Sequence, residues 1–236
     1  MPRILLQLLQ KLFRNWRKMT RVKAKICGLN DPQAVDAAVT GGASHIGLVF
    51  YPPSPRNVSI EQAADLVGPV PKEITIVGLF VDPDDAFLEQ VLKAVPLDLL
   101  QLHGSETPAR VGDIRARFSL PVMKALKIAD KEDLASANQY KDVADMLLFD
   151  AKAPKDMKNA LPGGNGLVFD WRMLTNTPLS LPWMLAGGLN KENVAQAVTI
   201  SGADFVDTSS GVEEKPGKKD PAAIHEFLKV VYEIRN

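Results

Sequence analysis

The sequence predicts an α/β protein, a single (β/α)8 TIM barrel over residues 19–236. Three observations predict it. Short apolar runs alternate strictly with amphipathic stretches, eight times in succession, which argues a parallel sheet covered by helices. Each strand–helix unit takes about 27 residues, close to the minimum for a closed barrel. The chain has 236 residues, within the span of one such barrel, and no linker-like stretch divides it. A doubly wound open sheet is the alternative. It usually carries phosphate-binding glycines at its first βα turn, whereas here the glycine-rich turns fall late.

Composition narrows the class further. With 46% hydrophobic and 24% charged residues, the chain reads as globular rather than disordered or collagen-like. One cysteine excludes a disulfide framework and a multi-cysteine zinc site, and suits a reducing compartment. The net charge of zero hides an asymmetry. The first thirty residues hold eight basic groups (Arg3, Lys11, Arg14, Arg17, Lys18, Arg21, Lys23 and Lys25) and no acid. That leaves 20 of the 28 basic residues against all 28 acids, a net of −8, so the body is a poor general binder of nucleic acid.

Residues 1–18 combine five of those basic groups with Leu5, Leu8, Leu9, Leu12 and Trp16 at helical spacing. They read as a basic amphipathic extension, suited to a membrane surface or a targeting role, or as a misassigned start ahead of Met19. No run approaches the ~20 apolar residues of an integral membrane span.

The first unit is a strand at 22–26 and a helix at 32–40. Val22, Ala24 and Ile26 fit the helix-facing side, so Lys25 and Cys27 point into the barrel. Asn30 or Asp31 caps the helix, with Pro32 in its first turn. Cys27 stands at a strand's C-terminal end, where these barrels carry reactive groups. It is a candidate base or nucleophile, or a small buried hydrophobe. The second unit is a strand at 45–50 and a helix at 60–67. Its loop is stiffened by Pro52, Pro53 and Pro55 and carries Arg56, suited to a carboxylate or phosphate, or a surface residue in a turn. The third unit, 74–81 and 83–95, carries no evident chemistry. The fourth, 97–102 and 108–117, places Gln101 and His103 on one face, with His103 a proton shuttle or an oriented hydrogen-bonding residue.

The fifth unit spans 121–125 and 131–138. The sixth strand, 146–149, is apolar and is followed by Asp150, placed for acid–base work or as a simple loop residue. A long loop at 151–166 ends in Gly163, Gly164, Asn165 and Gly166, a lid over the barrel mouth or a flexible connector, before a helix at 171–174. The seventh unit, 181–186 and 191–198, is joined by Gly187 and Gly188. The eighth, 205–207 and 221–234, is joined through Thr208, Ser209, Ser210 and Gly211. Glycines and hydroxyls after strands seven and eight are placed to hold a phosphate with backbone N–H groups.

The assembled pattern resembles the phosphoribosylanthranilate isomerase family of tryptophan biosynthesis. The matching stretches are K-I-C-G-L-N at 25–30, G-L-V-F-Y-P-P-S-P-R at 47–56 and V-G-L-F-V at 77–81. They continue with Q-L-H-G-S-E at 101–106, L-P-G-G-N-G-L-V-F-D-W at 161–171, A-G-G-L at 186–189 and D-T-S-S-G-V-E at 207–213. The resemblance implies an Amadori rearrangement without a metal or organic cofactor. It places the general base on Cys27 and the general acid on Asp150. Lys25 is then expected to favour the Cys27 thiolate. Arg56 would bind the anthranilate carboxylate, with Gln101 and His103 also on the substrate. Gly187, Gly188, Ser209, Ser210 and Gly211 would hold the phosphate, and Asp207 would contact the substrate amine. Asn165 and Thr208 depart from the family pattern, at the lid and the phosphate loop.

Cys27 speaks against the histidine-pathway isomerase, which works with paired aspartates. No Lys–Glu pair of the indole-glycerol-phosphate synthase kind can be placed. A non-catalytic, membrane-tethered homologue would not need Cys27, Asp150 and Arg56 together. The expected partner is a small-molecule substrate, the expected location is cytoplasmic, and a monomer is preferred over a homodimer. A chain started at Met19 is expected to keep full activity, checked by assaying purified truncated and full-length protein side by side.

Overall fold

The computed structural model describes residues 21–154, 157, 161–175 and 177–234. The extension at 1–18 and part of the long sixth loop lie outside the described residues. Eight parallel strands close into a barrel in chain order, and the open-sheet alternative falls away. The first half runs β1 (Lys23–Cys27), α1 (Pro32–Thr40), β2 (His45–Phe50), α2 (Ile60–Val67), β3 (Thr75–Phe80), α3 (Asp85–Ala94), β4 (Leu99–Leu102) and α4 (Pro108–Phe118). The second half runs β5 (Val122–Ile128), α5 (Lys131–Ala135), β6 (Met146–Ala151), β7 (Trp183–Leu185), α6 (Val194–Ser201), β8 (Phe205–Thr208) and α7 (Pro221–Glu233).

Helix starts follow the sequence closely. Asp31, Ser59, Asp84, Thr107, Asp130 and Asp220 each accept a backbone N–H from the first turn of the helix they precede. Asp31, not Asn30, caps α1; the Asn30 amide instead donates to the Gly217 carbonyl at 2.9 Å.

The differences from the expected elements have local causes. Between β6 and β7 the expected helix is a 310 turn, Trp171–Leu174. Helix α6 starts at Val194 rather than 191. Asn190 Oδ1 accepts the N–H groups of Glu192 and Asn193, an alternative to helical pairing. After β8 come a 310 turn, Ser210–Val212, and a small hairpin, β9 (Glu213–Lys215) with β10 (Lys218–Lys219). The hairpin turns on Pro216 and Gly217, and its charged strands lack the apolar alternation by which strands are recognised.

The core has two layers, because parallel strands here are covered on both faces. Inside the barrel, Val77, Leu99, Met123, Met146, Leu148 and Met184 interdigitate. Outside, the opposite strand faces meet the helices through Ile26, Ile46, Phe80, Leu100, Phe149 and Phe227. Near the C-terminal end of the barrel the interior changes to polar residues. Pairing of β1 with β8 sets Lys25 opposite Asp207, and pairing of β1 with β2 sets Cys27 opposite Gly47.

His45, at the start of β2, is half-buried beside Phe205, and its Nδ1 lies 2.8 Å from the Ser44 hydroxyl. Burial, with Lys25 and Lys23 nearby, pushes its pKa down from 6.5 to about 4. The unfolded chain therefore binds this proton below about 6.5, whereas the folded chain binds it only below about 4. Stability should fall as pH drops through that window, by up to about 3 kcal/mol from this residue. Thermal unfolding of wild type and His45→Asn at pH 7 and pH 4.5 checks it, with the variant expected to lose less on acidification.

Candidate active site

A pocket opens at the C-terminal ends of the strands, lined by residues from seven of the eight βα junctions. Cys27 reaches it from β1, Arg56 from the second loop, Gln101 and His103 from β4, Asp150 from β6, and Asp207 from β8. Gly163 and Gly164 of the long loop, Gly187 and Gly188, and Ser209 and Ser210 complete the wall. Thus most of the sequence-predicted residues converge on one cavity. Gly211 does not line it, because it packs against the Leu189 carbonyl, and Gly166 also stands outside. Tyr51 and Ser54 join the lining without having been singled out by sequence.

Alternation along β1 turns Lys25 and Cys27 inward, as expected. Lys25 is fully buried and donates to Asp207 Oδ1 at 2.9 Å. Burial alone would lower its pKa, but Asp207 and Cys27 outweigh that and hold it raised. Lys25 acts on Cys27 in the expected direction, but burial and Asp207 oppose it. Burial pushes the thiol up, Lys25 pulls it down and Asp207 pushes it up again, leaving its pKa above the ordinary value. The Lys25 ammonium is shared between Cys27 and Asp207, the carboxylate set opposite it by strand register. Asp207 itself sits above the usual carboxylate range, because burial outweighs the help from Lys25.

Across the pocket, Asp150 Oδ1 accepts the Ala151 N–H at 2.8 Å. His103 Nε2 stands 3.3 Å from Asp150 Oδ2, close in distance though not aligned as a hydrogen bond. Gln101 Nε2 lies 3.0 Å from His103 Nδ1; with the amide donating, the ring proton resides on Nε2, on the Asp150 side. Gln101 Oε1 and His103 Nε2 are both buried without a protein partner. Two orphaned polar atoms in a lined cavity mark a place where a polar ligand completes the hydrogen bonding.

The loop bearing Gly163 and Gly164 lies directly over these groups. A Cβ on Gly163 would come within 2.7 Å of Asp150 Oδ2 and of the His103 ring, and one on Gly164 within 2.6 Å of Arg56 Nη1. Asn165 closes this turn by bonding both backbone groups of Leu161, at 3.0 and 2.8 Å. Thr208 donates to the Leu189 carbonyl at 2.6 Å, tying the end of β8 to the loop after β7. Both departures from the family pattern are therefore fully bonded. The Gly187 and Gly188 turn is braced by Asn193, whose amide donates to the Gly188 carbonyl at 3.0 Å.

Arg56 is buried, not a surface residue in a turn, and its guanidinium is already engaged. It binds Glu213 through Nε at 2.7 Å and Nη2 at 2.8 Å, and Nη2 also reaches the Gly164 carbonyl at 3.2 Å. Sequence reasoning gave no role to Glu213, quoted only as the end of the D-T-S-S-G-V-E stretch, or to Lys219, which sits in a charged run with Glu214, Lys215 and Lys218. It also missed a buried pair behind β4. Lys124 donates to Glu106 at 2.7 Å, while Glu106 accepts from Gly104 and Asp82, fixing the chain just past His103.

A sequence profile described as N-(5'-phosphoribosyl)anthranilate isomerase matches residues 24–230. The chain belongs to the N-(5'-phosphoribosyl)anthranilate isomerase family. A member from Paramagnetospirillum magneticum is 58% identical over 208 residues, covering 88% of this chain and 96% of the relative. Among solved structures, phosphoribosyl anthranilate isomerase from Thermotoga maritima superposes with a TM-score of 0.79 at 34% identity, covering 89% of this chain and 98% of its own. A second solved family structure, described in complex with reduced 1-(o-carboxyphenylamino)-1-deoxyribulose 5-phosphate, gives a TM-score of 0.77 at 32% identity, with coverage of 89% and 98%.

The close cover over Asp150 and His103 generates a test. Gly163→Ala should push the loop off both residues and lower kcat/KM by about 5- to 100-fold, the kinetic equivalent of an overpacking cost of about 1–3 kcal/mol. Steady-state kinetics with a thermal melt checks this; unchanged kcat/KM would show that the loop yields freely.

Proposed function

We propose that this chain catalyses the Amadori rearrangement of N-(5-phosphoribosyl)anthranilate to 1-(2-carboxyphenylamino)-1-deoxyribulose 5-phosphate, in tryptophan biosynthesis. The observation that carries the proposal is the convergence of Cys27 and Asp150 on one pocket, from β1 and β6 of a family barrel.

In this reading Asp150 gives its proton to the furanose ring oxygen. The bond from C1 to that oxygen breaks, and C1 becomes an iminium with the anthranilate nitrogen. Cys27, as thiolate, then removes the proton from C2. Its electron pair forms the C1–C2 double bond of an enolamine, and the iminium nitrogen recovers its lone pair. Reprotonation at C1 and loss of the hydroxyl proton at C2 give the ketone. The substrate's nitrogen acts as the electron sink, so the residues' tasks are proton transfer and orientation.

The raised Cys27 pKa fits this sequence of events. A thiol that is hard to ionise gives a strong base once it does ionise. The iminium places a positive charge in the pocket just when the thiolate is needed, which favours the ionised form. The ring proton of His103 lies beside Asp150 and would steady the carboxylate left after protonation. Gln101 Oε1 offers an acceptor to a ribose hydroxyl, and Asp207 one to the substrate amine.

Arg56 would meet the anthranilate carboxylate through Nη1, since Nε and Nη2 are held by Glu213. Gly187, Gly188, Ser209 and Ser210 would hold the phosphate. We take a monomer as the working unit, with a homodimer as the alternative. Among the described residues no helix is long and apolar enough to cross a membrane. We take the cytoplasm as the site of action.

Cys27→Ala and Asp150→Asn should each lower kcat by about 10²–10⁴-fold while the fold survives. The matching genetic test is rescue of a tryptophan auxotroph lacking this isomerase. Wild type should restore growth and both variants should not; near-normal turnover in either variant would remove that residue from the mechanism.

A further inference from the structure

Among the described residues, the phosphate end of the proposed site has no cation in its lining. The loops that would hold the phosphate offer N–H groups and hydroxyls, and the only Lys or Arg among the pocket-lining residues is Arg56. The body of the chain is also acidic, so its overall field does not attract a dianion. Directly behind Ser209, however, lies Lys219, at the end of the hairpin strand β10 and 3% exposed. Its ammonium donates to the Ser209 carbonyl at 2.9 Å, the Ser209 hydroxyl at 3.1 Å and Glu213 Oε1 at 2.7 Å. The Ser209 hydroxyl in turn donates to the Cys27 carbonyl at 3.0 Å.

Glu213 is shared. The same carboxylate holds Arg56 and Lys219, so one buried anion stands between two buried cations. The triad keeps one uncancelled positive charge, and an uncancelled buried charge is costly unless something of opposite sign arrives. We infer that Lys219, clamped by Glu213 against Ser209, is a positioning residue that supplies the positive charge of the phosphate loop. This inference rests on the phosphate assignment made above and extends it to a residue that does not itself line the pocket. Its titration agrees in direction. Burial lowers the Lys219 pKa and Glu213 only partly restores it, so an incoming anion would relieve the charged form.

The test separates charge from shape and from the reaction itself. Inorganic phosphate binding to wild type, Lys219→Met and Lys219→Arg is measured by titration calorimetry, alongside KM and kcat for the phosphoribosylated substrate. Lys219→Met should weaken inorganic phosphate and raise KM about tenfold, equivalent to about 1.4 kcal/mol, with kcat within about threefold of wild type. Lys219→Arg should recover phosphate affinity to within about threefold. Where Lys219→Met does not fold, Lys219→Gln, which keeps a donor without the charge, is read in the same way. Unchanged phosphate affinity in the folded neutral variants overturns the inference. So do equal losses in the Met and Arg variants, or a loss confined to kcat. Absence of turnover in wild type would instead count against the proposed reaction, while the phosphate titrations still decide the role of Lys219.

Discussion

Closing eight strands on themselves brings β1 against β8, and the register of that seam puts Lys25 beside Asp207. An ammonium fully buried in a barrel has few options, because an isolated charge there would neutralise rather than persist. The carboxylate of Asp207 lets it remain charged. Neighbouring features inherit this arrangement. Gly47, across from Cys27, leaves room for both the thiol and the Lys25 side chain. Apolar packing in the lower barrel gives way to a polar mouth at this level. Lys25 still favours the ionised form of Cys27, against burial and the Asp207 charge.

The site is therefore governed by short-range charge rather than by the sign of the whole molecule. A net negative body surrounds a mouth in which Lys25 meets Asp207, Lys124 meets Glu106, and Arg56 and Lys219 share Glu213. Each carboxylate fixes a cation at one place, and the pairs differ in what they organise. One lies beside Cys27, one anchors the chain beyond His103, and the last ties the second loop to the hairpin after β8.

The fold and most of the residues that line the pocket were legible in the sequence, and for a physical reason. Strand alternation is local, so Lys25, Cys27, Gln101 and Asp150 announce their direction through their apolar neighbours. Helix caps are local too, as Asp31 and Thr107 illustrate. What escaped depends on contacts distant along the chain. Arg56 and Glu213 are 157 residues apart, and nothing near either one shows that they meet. Lys219 looks like any lysine in a charged turn until β10 carries it under Ser209. The setting of Cys27 was only partly legible for the same reason. Its neighbour Lys25 is visible in sequence, whereas the burial of the thiol and the competing Asp207 are properties of the closed barrel.

The hairpin after β8 has a thermodynamic consequence. It touches three loops at once, through Asn30 to Gly217, Arg56 to Glu213 and Ser209 to Lys219. Rotamer and backbone freedom in that wall is therefore lost when the chain folds, not when a ligand arrives. An anion held there, as proposed for the phosphate, would find this wall already ordered. Its binding heat would then report desolvation and charge neutralisation, with little contribution from ordering the protein.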